Sequence, residues 1–203
     1  MPTPAKLVHP KQLLVEGKDA EAFFHPFIEA LGINDVEIHN YRSVTELPAF
    51  LKQFVRNADF RQLPVRSIGI VRDAENSADD AFKSICSALE NAKLPLPGLK
   101  AIGKQNLTVN TFILPDGHSA GMIETLIMHA VENEPAFACI QPYLDCVYQV
   151  TGVVPKSIDK ARFLAFLAAK PDYKPLTGYA ARAGYLNFQS PVYDPLKAFI
   201  RSL

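Results

Sequence analysis

The chain has 203 residues, of which 21 are basic and 21 acidic, so its formal net charge is zero. That balance excludes a protein that grips nucleic acid chiefly by bulk positive charge and leaves a local patch as the remaining electrostatic route. Apolar residues make up 48% of a chain long enough for one sizeable core, and no apolar run reaches membrane-spanning or signal-peptide length, so a cytoplasmic protein with no membrane partner is expected.

Gln12 to Val15 reads as a short buried strand that ends in Glu16, turns on Gly17 and enters a helix. Ala20, Phe23, Phe24, Phe27, Ile28 and Leu31 share one face of that helix, with Asp19 as N-cap and Gly32 and Asn34 as the stop signal. From Asp35 to Tyr41, Val36, Ile38 and Tyr41 alternate with polar residues and predict a second, partly exposed strand. Ser43 or Thr45 then caps a helix with the face Leu47, Phe50, Leu51 and Phe54. Ser67 to Val71 is the clearest buried strand. It runs into Arg72-Asp73-Ala74-Glu75-Asn76, after which Ser77 opens a helix through Phe82, Ile85, Cys86 and Leu89.

Leu94 to Gly98 is a rigid linker, and Leu107 to Leu114 a further strand followed by the turn-rich loop Pro115 to Gly121. The next helix has Ile123, Leu126, Ile127 and Ala130 on one face. Beyond Pro135 the chain is helical and punctuated by proline. One helix, about Ser157 to Lys170, carries Phe163, Leu164 and Leu167, and a last one runs through Leu196, Phe199 and Ile200. Cys86, Cys139 and Cys146 form no C-x-x-C pair and are read as reduced, mostly buried thiols. Alternating strands and helices predict an α/β fold with a mainly parallel sheet flanked by helices. Residues 1–203 are read as a single domain, with a core of about 10–150 and a C-terminal helical extension of about 151–203 packed on it.

Acids gather at the strand-to-helix junctions: Glu16, the pair Asp73 and Glu75, and Glu124 beyond the third loop. Singly, each is explained as a solvated charge that favours a helix N-terminus. Brought to one sheet edge, they would repel one another, and Mg²⁺ or Mn²⁺ would relieve that repulsion through oxygen ligands. Lys160 lies on the stripe of Phe163, Leu164 and Leu167. It either directs its ammonium toward a phosphate or packs its stem and leaves the head in water. Arg72 is equally a phosphate contact or an ion-pair partner. His118, His25 and His129 read as solvated or packed, Asn187, Phe188 and Tyr193 as packing groups. No phosphate loop, nucleophile elbow or zinc spacing occurs.

Leu14-Val15-Glu16-Gly17-Lys18-Asp19 and Ile70-Val71-Arg72-Asp73-Ala74-Glu75 together resemble the Toprim domain of topoisomerases, primases and overcoming-lysogenization-defect nucleases. The nearest likeness is to small stand-alone Toprim-like proteins related to those nucleases. Asp73-Ala74-Glu75 stands where Asp-x-Asp is usual, and Ala20 where the nuclease branch often has an acid. Ser119 and Glu124 match that branch's serine and glutamate spacing, and Lys160 looks like its late helical lysine. The resemblance implies a Toprim-like fold and Mg²⁺- or Mn²⁺-dependent phosphodiester hydrolysis on nucleic acid. In that scheme Asp73, Glu75 and Glu124 hold metal, and Glu16 completes the shell or handles a proton. Lys160 stabilises charge on the phosphate, with Gly17, Lys18, Arg72 and Ser119 in supporting positions. The rivals are a non-catalytic metal-binding module for nucleic acid or a protein partner, and a phosphohydrolase for a small metabolite. No oligomeric state follows from the sequence.

Overall fold

The computed structural model describes residues 7–63, 65–99 and 106–203. Four strands form one sheet: β1 (Lys11–Val15), β2 (Val36–Asn40), β3 (Ser67–Asp73) and β4 (Thr108–Leu114). Their order is β2-β1-β3-β4, and every neighbouring pair is parallel. Parallel neighbours need crossovers, which explains why helices cover both faces and why the central strands carry the apolar runs Leu13 to Val15 and Ile68 to Val71. Leu13, Val15 and Val71 point to one face. Leu14, Ile68 and Ile70 point to the other, and all six are completely buried. The fold is therefore α/β, with an all-parallel sheet between two helical layers.

One layer holds α1 (Gly17–Ala30), α5 (Ile123–Ala130), α7 (Ile158–Ala168), α8 (Thr177–Arg182) and α9 (Asp194–Arg201); the other holds α2 (Leu47–Arg56) and α4 (Ala78–Ala92). The short α3 (Ala58–Gln62) follows α2, and α6 (Ile140–Thr151) precedes α7. The C-terminal helices are part of the core. Phe188 stacks edge-on against Phe27 with ring centroids 5.1 Å apart, and Tyr193 meets the same ring at 5.6 Å. The Ser67 hydroxyl donates to the Leu203 carbonyl at 2.8 Å, which ties the chain end to the centre of the sheet. Among the described residues, no helix is long and apolar enough to cross a membrane.

Several local expectations need correction. Helix α1 begins at Gly17 with Glu16 at its N-cap, so Asp19 sits inside the first turn. Ser43 and Thr45 do not cap α2. Their hydroxyls pair at 3.1 Å, and Glu46 holds the cap position. Phe82 is 40% exposed because α4 turns its small residues, Ala81, Ala88 and Ala92 around Ile85, toward the sheet. Leu164 is likewise exposed, since α7 buries Phe163, Phe166 and Leu167 instead. A helical face assigned one residue off is rotated by about 100°, enough to move a side chain from core to rim. The thiols are not mostly buried: Cys139 and Cys146 are exposed and Cys86 is half-buried.

Helix α8 lies against α1 at Gly178, where a Cβ would stand 2.7 Å from the Ala22 Cβ and 3.1 Å from its carbonyl oxygen. Because backbone is among the atoms met, α1 and α8 must separate to admit a side chain. Gly178→Val should destabilise the protein by about 1–3 kcal/mol, read as a lowered urea midpoint with unchanged slope. A variant as stable as the parent would refute this account of the α1–α8 contact.

Candidate functional site

The strand order defines where a site can form. From β1 the chain moves outward to β2, returns across β1 to β3, then moves outward to β4, so its winding reverses between β1 and β3. Helix α1 leaves β1 on one face and α4 leaves β3 on the other. Such a reversal opens a crevice beyond the carboxyl ends of the two strands, where open α/β sheets bind ligands. Glu16 directly follows β1 and Asp73 is the last residue of β3, so both acids stand at this crevice.

Gly17, at φ +77°, adopts the left-handed backbone that turns β1 into α1. Glu16 holds the N-cap position without making a capping bond. Its Oε1 accepts the Val44 N–H at 3.2 Å, while Oε2 is buried with no hydrogen-bond partner. Burial pushes the Glu16 carboxyl upward, and Glu75 adds to the push against the pull of the Arg72 guanidinium and the Val44 N–H. Across the crevice, Asp73 Oδ1 accepts the Ile123 N–H at 3.0 Å, at the N-terminus of α5. Burial, followed by the charges of Glu124, Glu16 and Glu75, pushes the Asp73 carboxyl up to about 7, with the Ile123 N–H a partial offset. The four acids are thus close enough to sense one another.

Glu75 is exposed, at φ +53°, and its backbone exchanges two 2.9 Å hydrogen bonds with Gly121. The third loop is thereby stitched to the end of β3, which brings Glu124, in the first turn of α5, to the same edge. Glu124 is 3% exposed, and its Oε1 lies 3.4 Å from Lys160 Nζ. The same ammonium reaches Asp19 Oδ2 at 3.1 Å. Partial burial pulls the Lys160 ammonium down, but Asp19 and Glu124 outweigh it and leave its pKa raised. The head group of Lys160 is thus half in water and spans two carboxylates.

Lys160 is held there by contacts that no motif announces. Ser157 caps α7, accepting the Lys160 N–H at 3.3 Å. Thr125 accepts the Met122 N–H at 3.0 Å and donates to Asp159 Oδ2 at 2.5 Å, fastening the start of α7 to the start of α5. Arg72 points its Nη1 at the Ala81 carbonyl, 3.1 Å away, and its Nε is buried without a partner. The Tyr41 hydroxyl donates to the Val71 carbonyl at 3.0 Å beneath the crevice. The Ser119 N–H donates to Asp116 Oδ1 at 2.7 Å on the outer turn of the loop, and His118 is exposed beside the same carboxylate. Lys18, His25 and His129 are exposed. Among the described residues, no three carboxylate, imidazole or thiol groups converge tightly enough to form a ready-made cation site.

A family profile matches residues 10–203, nearly the whole chain. The chain belongs to the DUF3226 family. That family is described as a protein of unknown function. No curated protein and no solved structure matches the chain. The crevice of this DUF3226 chain is therefore interpreted from its own chemistry. Its donors are all oxygens, one carboxylate oxygen is buried and unpartnered, and Asp73 carries uncompensated repulsion. Those features fit a hard divalent cation in donor type and charge.

The raised Asp73 carboxyl has a measurable consequence. A carboxyl whose pKa rises on folding from 3.8 to about 7 binds its proton more tightly in the folded state. It therefore makes stability fall as pH rises through that window. Asn at this position can still accept the Ile123 N–H but carries no charge. With chelator present, Asp73→Asn should gain about 1–3 kcal/mol over the parent at pH 8 and much less at pH 5. Urea melts at the two pH values measure the difference, and a gain independent of pH would sink the electrostatic explanation.

Proposed function

We propose that this protein hydrolyses phosphodiester bonds in nucleic acid with the aid of Mg²⁺ or Mn²⁺. The observation that carries the proposal is the acidic edge at the β1–β3 reversal, where burial and then the neighbouring acids raise Asp73 and Glu16 keeps a buried, unpartnered oxygen. Asp73 and Glu75 would hold the ion, with Glu124 or Glu16 completing the oxygen set. When bound, a divalent cation would lower the pKa of a water and neutralise charge on the phosphate. The remaining work falls to the chain itself. Glu16, with its raised carboxyl and open oxygen, is suited to take the proton of the attacking water. Lys160 would present its ammonium to the phosphate by exchanging Asp19 and Glu124 for phosphate oxygens. Arg72 would hold Glu16 in its charged form. The likeness of the Glu16-Gly17 and Asp73-Ala74-Glu75 junctions to Toprim nuclease motifs supports the same assignment.

One observation favours a second reading. Lys160 already neutralises part of Glu124, and the acids do not converge in a coordination sphere. A non-catalytic Toprim-like module that binds nucleic acid or a protein partner fits that arrangement. Two measurements separate the readings. Calorimetric titration of Mn²⁺ into the parent should reveal a site that Asp73→Asn weakens by about tenfold or more. Cleavage of single- and double-stranded DNA and RNA with Mn²⁺ should be lost by about 100-fold or more in Asp73→Asn and Glu16→Gln. Binding without cleavage of any substrate would leave the module. Absence of binding to the parent would remove the metal from the proposal altogether.

A further inference from the structure

Helix α6 carries two apolar stripes and the core uses one of them. Ile140, buried, with Leu144 and Val147, half-buried, faces inward. The outer stripe is Cys139, Tyr143, Cys146 and Val150, spaced four, three and four residues apart. This is the a/d spacing of a helix that packs against another helix. All four are exposed, Tyr143 by 59% and Val150 by 80%. Just beyond the helix, Val153 and Val154 are also exposed, by 62% and 65%. A globular chain gains nothing by offering such residues to water in a row.

We infer that this stripe is the contact through which two copies of the chain pair, α6 against α6, about a two-fold axis. Two features select a second copy as the occupant. The first is charge. Between Pro135 and Pro155 the sequence holds one charged residue, Asp145; it accepts a 2.7 Å hydrogen bond from Gln141, whose oxygen accepts one of 2.7 Å from Arg162 of α7, so acid and base are bridged off the stripe. The stripe therefore carries neither sign and can meet its own image without repulsion, as an isologous contact requires. The second is size. Together the six exposed residues offer on the order of 600 Å², of the same order as the roughly 800 Å² each partner gives a standard interface. Antiparallel pairing would set Tyr143 against Cys146 of the other copy, and Cys139 against Val150, filling the space beside each small residue with a large one. The segment that leaves this contact at Val154 enters α7, so pairing would also brace the helix that carries Lys160.

Light scattering after size-exclusion chromatography tests the inference on the intact protein. At about 50 μM, well above a micromolar dissociation constant, the parent should elute at twice the chain mass. Val150→Glu and Tyr143→Glu, both exposed positions where the fold tolerates charge, should elute as monomers with unchanged circular dichroism. Phe82→Glu, on the exposed side of α4, should leave the dimer intact. Alkylation of Cys146, located by peptide mass, should be at least about tenfold slower in the parent than in Val150→Glu. A parent that is monomeric at this concentration overturns the inference. So does a dimer that survives both substitutions, a larger open assembly, or Cys146 alkylated at equal rates in parent and variant.

Discussion

Two parallel strands with buried centres lie side by side and each runs directly into an acid, and the rest of the architecture answers that constraint. Because β1 and β3 are covered on both faces, their carboxyl ends emerge into a crevice rather than onto an open surface. An ionised carboxylate in such surroundings loses hydration that must be replaced by donors or by opposite charge. The protein supplies backbone N–H groups first: Val44 for Glu16 and Ile123, at the positive end of α5, for Asp73. It then supplies Lys160, which reaches Asp19 and Glu124 from a helix 141 residues away in sequence from Asp19. What remains uncompensated is concentrated on Asp73 and on one oxygen of Glu16.

That requirement explains why the C-terminal helices belong to the core. One face of the sheet is served by α2 and α4, with Leu51, Phe54, Ile85 and Leu89. The opposite face has α1 and α5 from the strand-bearing part of the chain, and these do not cover it alone. Phe166, Leu186, Tyr193, Leu196 and Ile200 complete it. Lys160 is delivered on the same structure, because α7 cannot pack Phe163 and Phe166 inward without its first turn meeting α5. The Thr125–Asp159 hydrogen bond fixes where along α5 that meeting occurs. Packing and electrostatics are therefore satisfied by one placement of one helix.

Much of this was legible in the residues, for identifiable reasons. Strands buried on both faces appear as short apolar runs, and Leu13 to Val15 and Ile68 to Val71 are such runs. Helix starts and stops at Ser77, Ser157 and Gly32 follow from local hydrogen bonding and left-handed backbone. The acids at Glu16 and Asp73 could be assigned to one edge because parallel strands align their carboxyl ends. What could not be read depends on distance or on rotation. Asp19 looked like a cap because local rules favour it there, while its partner is a lysine that only the folded chain brings near. Phe82 and Leu164 share the apolar period of buried neighbours yet face outward, because apolar character does not fix a helix's rotation when neighbouring alanines let it settle a position away. The Thr125–Asp159 link left no trace, since neither residue is unusual for a helix start.

The charge balance at the crevice also bears on what can approach it. Nucleic acid presents a line of negative phosphates, and an edge with Glu16, Asp73, Glu75 and Glu124 repels them unless charge is supplied. Lys160 offsets part of that sum while it stays on Glu124. Asp73 can offset another part by holding a proton, but with its carboxyl near 7 it surrenders that proton just where neutral pH begins. Above that point Asp73 adds its own negative charge to the edge, and the demand for a cation grows. A divalent ion that displaced Lys160 from Glu124 would meet the demand and also free the ammonium for a phosphate. The hydrolase and the binding module therefore differ in one physical respect: whether Lys160 leaves its carboxylates when the crevice is filled.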